Sequence, residues 1–369
     1  MSEKVISPIV NSDRSVTINL ETPKNIKKVG ITGDFILGQK EVIPILATSI
    51  VPMNKVSGNV WTITTEKNIP GIYRYAFNVD GLKMIDPLNH WMRRIEHGQP
   101  FSMVKVPGDE PQPWDLIKEI PHGTVVRETM YSETLKDFRY CNIYLPPNYN
   151  PAKKYPIFYL LHGGGNDYAN WLYDGTADRI MDYQIAKGKA KEMIVAMPDG
   201  NVMTQEDMAR MLASARATAQ KEDWAAVTAR SMESVFMGHL KYFVNDVMPF
   251  VESKYSINGS RAIAGLSMGA MQTYNLITAS PELFNAAGLF SGGPPDQGAR
   301  ISAVKDQLEK YEIIYSAVGN VDKEEVREGM KSVQSLMDEL GVPNKYFETM
   351  GGHIWAVWQR ALVNFVELL

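Results

Sequence analysis

The sequence predicts a two-domain protein in which a small β-sandwich precedes an α/β domain. Short strand-like segments separated by turn residues occupy roughly the first hundred residues, and no helical period is evident there. Beyond a proline-rich stretch, nearly continuous apolar runs alternate with helical segments, a pattern typical of a parallel sheet covered by helices on both faces. A chain of 369 residues is also longer than one hydrophobic core usually supports.

Strands in the first domain are predicted where β-branched and aromatic residues alternate with polar ones between glycine-containing turns. They are Ser15 to Leu20, Lys28 to Thr32, Val60 to Thr65 and Gly71 to Val79. The segment from Pro107 to Pro113 is too rich in proline for a regular element. We therefore place domains at residues 1–106 and 120–369, with a linker at 107–119 between them.

The second domain is predicted to contain eight strands separated by helices. They are Thr124 to Ser132, Arg139 to Leu145, Tyr155 to Leu161, Glu192 to Met197, Arg261 to Gly265, Ala286 to Phe290, Glu312 to Ala317 and Lys345 to Thr349. A stretch rich in methionine and alanine, Asn201 to Val235, interrupts this alternation. It is either an extra helix packed on the surface or a lid over the active site.

Charge and composition exclude several classes of partner. The net charge of -4 and the lack of a Lys/Arg-rich run argue against nucleic-acid binding, and no apolar run is long enough to span a membrane. The single cysteine, Cys141, excludes an intrachain disulfide. The N-terminus has no apolar signal core, so we expect a cytoplasmic protein, or a secreted or periplasmic one if an export signal was removed.

The pentapeptide 265–269, Gly-Leu-Ser-Met-Gly, lies between a predicted strand and a predicted helix. A Gly-x-Ser-x-Gly sequence at a strand-to-helix turn is the nucleophile elbow of α/β-hydrolases. The glycines permit a tight turn, which holds the serine hydroxyl exposed above the sheet. The sequence therefore predicts Ser267 as the nucleophile of an α/β-hydrolase catalytic domain.

A serine nucleophile needs a base and a group that orients the base. His353 lies in a glycine-containing loop after the last predicted strand, downstream of Ser267 as this fold requires. Asp322 follows the preceding predicted strand and is the favoured acid, although it could simply cap the next helix. Asp296 and Glu324 remain alternative acids.

An oxyanion hole is predicted from the backbone N–H of Met268 and from Gly163 and Gly164 in the loop 161–165, Leu-His-Gly-Gly-Gly. Four aromatic residues lie near the site loops: Trp171, Tyr173, Trp355 and Trp358. Each could belong to the core or form a wall of the substrate pocket, and Trp171 and Trp355 are the predicted substrate-binding residues. The remaining histidines lack the spacing of metal ligands, so we expect neither a metal site nor a cofactor.

Residues 121 to 369 resemble the esterase D-like carbohydrate esterases, especially the feruloyl esterases of carbohydrate esterase family 1. The segments that carry the resemblance are Pro121-His122-Gly123, Tyr144-Leu145-Pro146-Pro147-Asn148-Tyr149, Leu161-His162-Gly163-Gly164-Gly165, Met197-Pro198-Asp199-Gly200, Gly265-Leu266-Ser267-Met268-Gly269 and Gly351-Gly352-His353-Ile354-Trp355. The resemblance implies a triad of Ser267, Asp322 and His353. It also implies hydrolysis of feruloyl esters of plant cell-wall xylan through an acyl-enzyme.

The first domain is similar to the early-set immunoglobulin-like module, akin to carbohydrate-binding module family 48. The likeness is carried by Val29-Gly30-Ile31-Thr32-Gly33-Asp34-Phe35, Val60-Trp61, Pro70-Gly71-Ile72-Tyr73-Arg74-Tyr75, Val79-Asp80-Gly81 and Asp86-Pro87. The aromatic residues of these segments alternate along strands, so Trp61 and Tyr75 are expected in the core rather than on a sugar-binding platform.

Several functions remain open at this point. The leading hypothesis is a feruloyl esterase acting on feruloylated plant polysaccharide. An acetylxylan esterase, acting on the acetylated polysaccharide, is the nearest alternative, and an enterochelin-type siderophore esterase is another. A siderophore enzyme would be expected to surround its anionic substrate with Arg and Lys, which the net acidity of the chain does not support. A carbohydrate-binding protein with a silent hydrolase domain is the non-enzyme alternative.

Overall fold

Two β-sheets form the N-terminal region in the computed structural model, which describes residues 5–34, 50–93, 100–202, 235–293 and 298–369. Their strands are Ile9–Val10 (β1), Val16–Glu21 (β2), Val29–Gly33 (β3), Val51–Pro52 (β4), Asn54–Ser57 (β5), Val60–Thr64 (β6), Gly71–Val79 (β7), Leu82–Met84 (β8), Met92–Arg93 (β9) and Phe101–Val106 (β10). One sheet has the order β1-β2-β6-β5; the other has the order β4-β3-β7-β10-β9, with β8 paired to β7. We call this part the N-terminal β-region.

The core of the N-terminal β-region lies between alternating side chains of its strands. Val16, Ile18 and Leu20 of β2 are buried while the residues between them are partly exposed, as the period of a half-buried strand requires. Trp61 and Tyr75 are also buried, which confirms their predicted place in the core. The N-terminal β-region thus consists of two small sheets. Its immunoglobulin-like character stays a prediction, as do the domain boundaries.

An eight-stranded, largely parallel sheet forms the second part of the chain and confirms the predicted α/β fold. Its strands are Thr124–Ser132 (β11), Asp137–Leu145 (β12), Tyr155–Leu161 (β13), Ile194–Pro198 (β14), Ile257–Leu266 (β15), Ala286–Phe290 (β16), Ile313–Gly319 (β17) and Asn344–Thr349 (β18). They are arranged in the order β11-β12-β14-β13-β15-β16-β17-β18. Strands β13 to β18 run parallel, while β11 and β12 form an antiparallel edge.

Helices cover both faces of this sheet. Those described are Asn170–Tyr173 (α1), Ala177–Ala186 (α2), Met248–Lys254 (α3), Met268–Ala279 (α4), Ala299–Ala303 (α5), Lys305–Leu308 (α6), Glu324–Leu340 (α7) and Trp355–Val366 (α8). The π-helical segment Phe243–Val247 leads into α3. None of the helices in these ranges is long and apolar enough to cross a membrane.

The side chains of β13 divide between two separate apolar clusters. Phe158 and Leu160 join the cluster that contains α2 and α8, whereas Ile157 and Tyr159 join the one that contains α4 and α7. Because successive residues of a strand point to opposite faces, each face of the sheet has its own core. This two-sided burial explains why the central strands read as continuous apolar runs.

Helix α8 packs against both the large sheet and the N-terminal β-region. Its Phe365 lies among the rings of Phe158, Phe290 and Tyr315, at centroid distances of 5.5, 6.0 and 5.9 Å. On the other side, the Arg360 guanidinium donates to the carbonyl of Pro70 and lies 5.1 Å from the centre of the Trp114 ring. The two parts of the chain therefore share one continuous apolar cluster.

His239 is a fully buried imidazole in the helical segment before α3. Its ring lies 5.8 Å from that of Phe243, and neither ring nitrogen has a hydrogen-bond partner in the described portion of the chain. Burial lowers the pKa of His239 from 6.5 to about 3, because the charged form loses its hydration. The folded protein therefore holds this imidazole neutral at every ordinary pH.

This buried imidazole predicts a loss of stability in acid. The unfolded chain binds a proton at His239 below a pH of about 6.5, whereas the folded protein does not until about pH 3. The free energy of unfolding should therefore fall as the pH is lowered through that range, and His239→Leu should lose less stability between pH 7 and pH 4.5. Urea unfolding at the two pH values measures the difference. His90→Leu, which alters an exposed histidine, is the control and should retain the wild-type slope; equal slopes for wild type and His239→Leu would contradict the assignment.

Candidate active site

Ser267 occupies a sharp turn between the end of β15 and the start of α4. Its φ and ψ angles are 52° and -113°, a conformation that L residues adopt only where the surroundings enforce it. The Ser267 amide donates a hydrogen bond of 2.8 Å to the carbonyl of Phe290 at the end of β16. The side chain is half-buried, so the turn holds the predicted nucleophile at the carboxyl edge of the sheet in a strained and supported geometry.

The two glycines that flank Ser267 are required by close backbone contacts. A Cβ atom at Gly265 would lie 2.4 Å from the backbone of Gly269, and one at Gly269 would lie 2.5 Å from the carbonyl oxygen of His162. Real side chains do not tolerate such distances. The pentapeptide therefore needs glycine at both positions for a packing reason, and that packing brings the start of α4 against the loop after β13.

His353 and Asp322 form a buried hydrogen-bonded pair. The Nδ1 atom of His353 lies 3.1 Å from each carboxylate oxygen of Asp322, and the two residues are only 7% and 5% exposed. A carboxylate at Nδ1 orients an imidazole so that Nε2 is the nitrogen that can exchange a proton, which is the role predicted for His353. Of the alternative acids, Glu324 is exposed at the start of α7, and Asp296 lies outside the described residues.

The loops that carry this pair are packed directly on each other. The amide of Val321 donates to the carbonyl of Gly351 over 3.1 Å, and the amide of Asn320 donates to the carbonyl of Thr349 over 2.8 Å. Asp322 does not cap α7 with its side chain, since the residue at the cap position is Lys323; the carboxylate accepts from the Lys323 amide instead. The acid is thus held by neighbours on both sides.

The predicted triad lies at one edge of the sheet, where the carboxyl ends of three parallel strands meet. Ser267 follows β15, Asp322 follows β17 and His353 follows β18. Within the described part of the chain, no hydrogen bond joins the Ser267 hydroxyl to the His353 ring. Catalytic hydrogen bonds are often long in an enzyme without its substrate and shorten when the substrate is bound. The arrangement brings a strained serine and an oriented imidazole to one edge.

The glycine loop after β13 lies against the start of α4. A Cβ atom at Gly164 would be in ordinary contact with Met268, 3.9 Å from its Cβ. The predicted oxyanion donors Gly163, Gly164 and Met268 are therefore neighbours. The amides at a helix N-terminus are unpaired within the helix and carry partial positive charge, so this junction is suited to a developing negative charge.

His162 makes hydrogen bonds that support the glycine loop. Its Nδ1–H donates to the carbonyl of Gly163, and its Nε2 accepts from the amide of Gly200, both over 2.8 Å. The same Nε2 also lies 3.4 Å from Oδ1 of Asp199. Among the residues that the structure describes, no group of three or more histidine, cysteine, aspartate or glutamate side chains could hold a metal ion.

The structure corrects the expectation that Trp171 and Trp355 form a wall of the substrate pocket. Both rings are only 1% exposed, and Trp171 donates from Nε1 to the carbonyl of Leu161 over 2.9 Å. The rings of Trp171 and Trp355 meet edge to face at 5.3 Å. Because both side chains are enclosed by their neighbours, they belong to the core beneath the site.

Trp358 contacts the imidazole of His353, a role that the sequence analysis did not assign to it. Its ring lies 5.2 Å from that of Trp355 and 5.0 Å from the imidazole of His353, perpendicular to both. An unbroken series of edge-to-face contacts therefore joins four rings, which we call the aromatic series: Trp171, Trp355, Trp358 and His353. The spacing of Trp355 and Trp358, one helical turn apart, was the available signal, since it places both rings on one face of α8.

Comparison with known proteins agrees with this geometry. Residues 132–368 match the family model described as putative esterase. The chain is 30% identical over 332 residues to an endo-1,4-beta-xylanase/feruloyl esterase of Xylanibacter ruminicola; the match covers 86% of this chain and 41% of that protein, so the chain spans less than half of that relative's length.

Two solved structures illustrate the likeness in fold. A ferulic acid esterase is similar over 67% of this chain and 97% of its own, with 24% identity and a TM-score of 0.52. The enterobactin esterase of Shigella flexneri is similar over 96% of this chain and 92% of its own, with 16% identity and a TM-score of 0.68. At these identities the likeness establishes the fold, while the family match extends over more than half of the chain. The chain belongs to the putative esterase family.

Proposed function

We propose that this protein is a serine esterase that hydrolyses feruloyl esters of plant cell-wall xylan through an acyl-enzyme. The observation that carries the proposal is the buried Asp322–His353 pair at the same sheet edge as the strained turn of Ser267. A strained serine, an imidazole oriented by a carboxylate and backbone donors at a helix N-terminus are the parts that acyl transfer requires.

The first half-reaction forms the acyl-enzyme. The Ser267 Oγ attacks the ester carbonyl while its proton passes to His353 Nε2, and Asp322 stabilises the imidazolium that forms. The carbonyl oxygen becomes an oxyanion that accepts hydrogen bonds from the backbone N–H of Met268 and the loop at Gly163 and Gly164. Collapse of this intermediate breaks the bond to the alcohol, which leaves with the proton from His353.

The second half-reaction releases the acid. Water enters where the alcohol left and gives a proton to His353 Nε2 as its oxygen attacks the acyl carbon. The second tetrahedral intermediate uses the same backbone donors, and its collapse breaks the bond between the acyl carbon and Ser267 Oγ. His353 Nε2 returns its proton to Oγ, which regenerates Ser267 and frees the carboxylic acid. Removing one oxyanion donor typically costs ~2.7 to 4 kcal/mol of transition-state stabilisation, so the junction between the glycine loop and α4 is central to the rate.

The acyl group and the polysaccharide are inferred from the relatives. A protein described as endo-1,4-beta-xylanase/feruloyl esterase is 30% identical to this chain, and a ferulic acid esterase shares its fold. Together with the family-specific segments around Ser267 and His353, these support a hydroxycinnamoyl ester on xylan. An acetyl ester on the same polysaccharide is the alternative that uses the same machinery.

A second candidate is a siderophore esterase of the enterobactin type. It is favoured by one observation: the enterobactin esterase of Shigella flexneri is similar over 96% of this chain, whereas the ferulic acid esterase is similar over 67%. Against it stands the net charge of -4, since a catecholate substrate is anionic. The two candidates differ in the substrate and share the proposed triad.

Replacing the nucleophile should abolish turnover without unfolding the protein. Ser267→Ala removes the attacking oxygen, so we expect hydrolysis of methyl ferulate to fall to the background rate while the circular dichroism spectrum is unchanged. Ser253→Ala, which alters an exposed serine of α3, is the matched control and should keep wild-type activity. Residual turnover by Ser267→Ala close to that of the control would exclude Ser267 as the nucleophile.

Replacing the acid should distinguish Asp322 from Glu324. Asp322→Asn keeps the shape but no longer favours the Nδ1–H tautomer of His353, so kcat should fall by about 10³- to 10⁴-fold. Glu324→Gln removes a nearby carboxylate and should leave kcat within about twofold of the wild-type value, as exposed substitutions usually do. Steady-state kinetics with methyl ferulate measure both variants, and the reverse ranking would identify Glu324 as the acid.

A panel of esters should identify the acyl group. We expect purified protein to hydrolyse methyl ferulate with a higher kcat/KM than acetylated xylan or a cyclic catecholate trilactone. Product release is followed by chromatography at equal enzyme concentrations, with Ser267→Ala as the blank. Preference for the trilactone would favour the siderophore candidate, preference for acetylated xylan would favour the acetyl esterase, and inertness toward all three would contradict the proposal.

A further inference from the structure

Asp174 carries a buried carboxylate directly after α1, close to the site but outside the triad. Its side chain is 0% exposed, and Oδ2 accepts a hydrogen bond of 2.5 Å from the side-chain Nδ2 of Asn170. Oδ1 has no hydrogen-bond partner among the residues described. Burial raises the pKa of Asp174, because the charged form is removed from water. A carboxylate in such a place needs positive charge nearby.

Two arginines of the N-terminal β-region supply that charge. The Nε of Arg93 lies 3.8 Å from Asp174 Oδ2, and the Arg93 guanidinium lies 4.0 Å from the centre of the Tyr173 ring. The positive charge of Arg74 opposes part of the rise that burial causes in the pKa of Asp174. Arg74 is itself buried and bonds Asp34 through two nitrogens, each over 3.2 Å. Two ion pairs therefore lie at this junction, one between Arg93 and Asp174 and one between Arg74 and Asp34.

Asp174 is also connected to the two elements that support the site. Its backbone carbonyl accepts a hydrogen bond of 3.2 Å from the side-chain amide of Gln359 on α8, the helix that begins two residues after His353. On the other side, α1 carries Trp171, which holds the carbonyl of Leu161 just before the glycine loop. A shift of Asp174 would therefore move both the loop of the oxyanion donors and the helix that follows the base.

We propose that the ion pair of Asp174 and Arg93 is an interdomain positioning link, through which the N-terminal β-region sets the geometry of His353 and the glycine loop. This inference rests on the proposed function, because it takes His353 as the base. Asp174 and Arg93 are positioning residues: neither belongs to the triad or to the oxyanion donors. The N-terminal β-region then helps to position the catalytic groups of the esterase site.

The physical argument is that the pair is poorly suited to stabilising the fold. Desolvation of two charges offsets most of their attraction, so a buried ion pair contributes little net stability, whereas loss of one partner leaves an uncompensated charge. Such a charge draws in water or shifts the backbone that carries it. Here the backbone that would shift is α1 and its contact with α8, and small displacements of catalytic groups reduce rates steeply.

The test is a cycle of three variants measured on methyl ferulate. Arg93→Met leaves Asp174 with less compensating charge, and we expect kcat to fall by about 10- to 100-fold with KM changed less than about threefold. Asp174→Asn should lower kcat less. The double variant Arg93→Met with Asp174→Asn should recover kcat relative to Arg93→Met alone, because no uncompensated carboxylate remains. Lys105→Met, which removes a cation paired with Asp115 in the same β-region, is the control and should keep wild-type kcat.

A second readout does not depend on turnover. The Nδ1 proton of His353, bonded to Asp322, should give a downfield proton resonance that is absent from His353→Gln. We expect Arg93→Met to shift or broaden it, the double variant to restore it partly, and Lys105→Met to leave it in place. If Arg93→Met does not fold, Asp174→Asn and the double variant still report the resonance.

The outcomes separate this inference from the proposed function. A wild-type protein inert toward every ester would contradict the proposed function, whereas the His353 resonance would still test the link. The link is overturned if kcat and the resonance are unchanged in both Arg93→Met and Asp174→Asn. It is also overturned if their losses of kcat equal the fraction of protein unfolded at the assay temperature.

Discussion

The close approach of α4 to the end of β13 is the contact on which the rest of the site depends. Gly269 lies so near the carbonyls of Leu161 and His162 that no side chain fits between them. This contact sets the position of the strained turn at Ser267 and brings the glycine loop beside the first amides of α4. The bond from the Ser267 amide to Phe290 then joins the turn to β16. The strained conformation of the turn persists because these backbone contacts on both sides hold it in place.

Local patterns predicted the architecture well because each strand of the sheet is buried on both faces. All eight strands were found within a few residues of their expected limits, and the pairing of His353 with Asp322 agrees with the order of motifs along the chain. The predicted lid or helix at Asn201 to Val235 lies almost entirely outside the described residues. Packing was harder to predict. Trp171 and Trp355 were expected at a pocket wall, but both are buried. Their burial results from the packing of α8 beneath the site, and no local sequence pattern encodes that packing.

The contact between the N-terminal β-region and α8 was also beyond the reach of sequence patterns. Arg360, Trp114 and Pro70 are far apart in the chain and meet only because α8 packs against both parts. The same holds for Arg93 and Asp174, each of which alone resembles an ordinary surface charge. A proline-rich segment between two regions indicates a boundary in the chain, but it carries no information on how much surface those regions share. Here the shared surface includes the helix that follows the base.

The aromatic series restricts the rotation of the His353 imidazole before any substrate binds. The imidazole of His353 is held at Nδ1 by Asp322 and along its ring by Trp358, which is braced in turn by Trp355 and Trp171. A ring enclosed in this way has little rotational freedom left for the substrate to remove. The ordering of the proposed base is therefore completed when the chain folds, and it does not have to be repeated at each turnover. Binding energy from the substrate remains available for the acyl group itself.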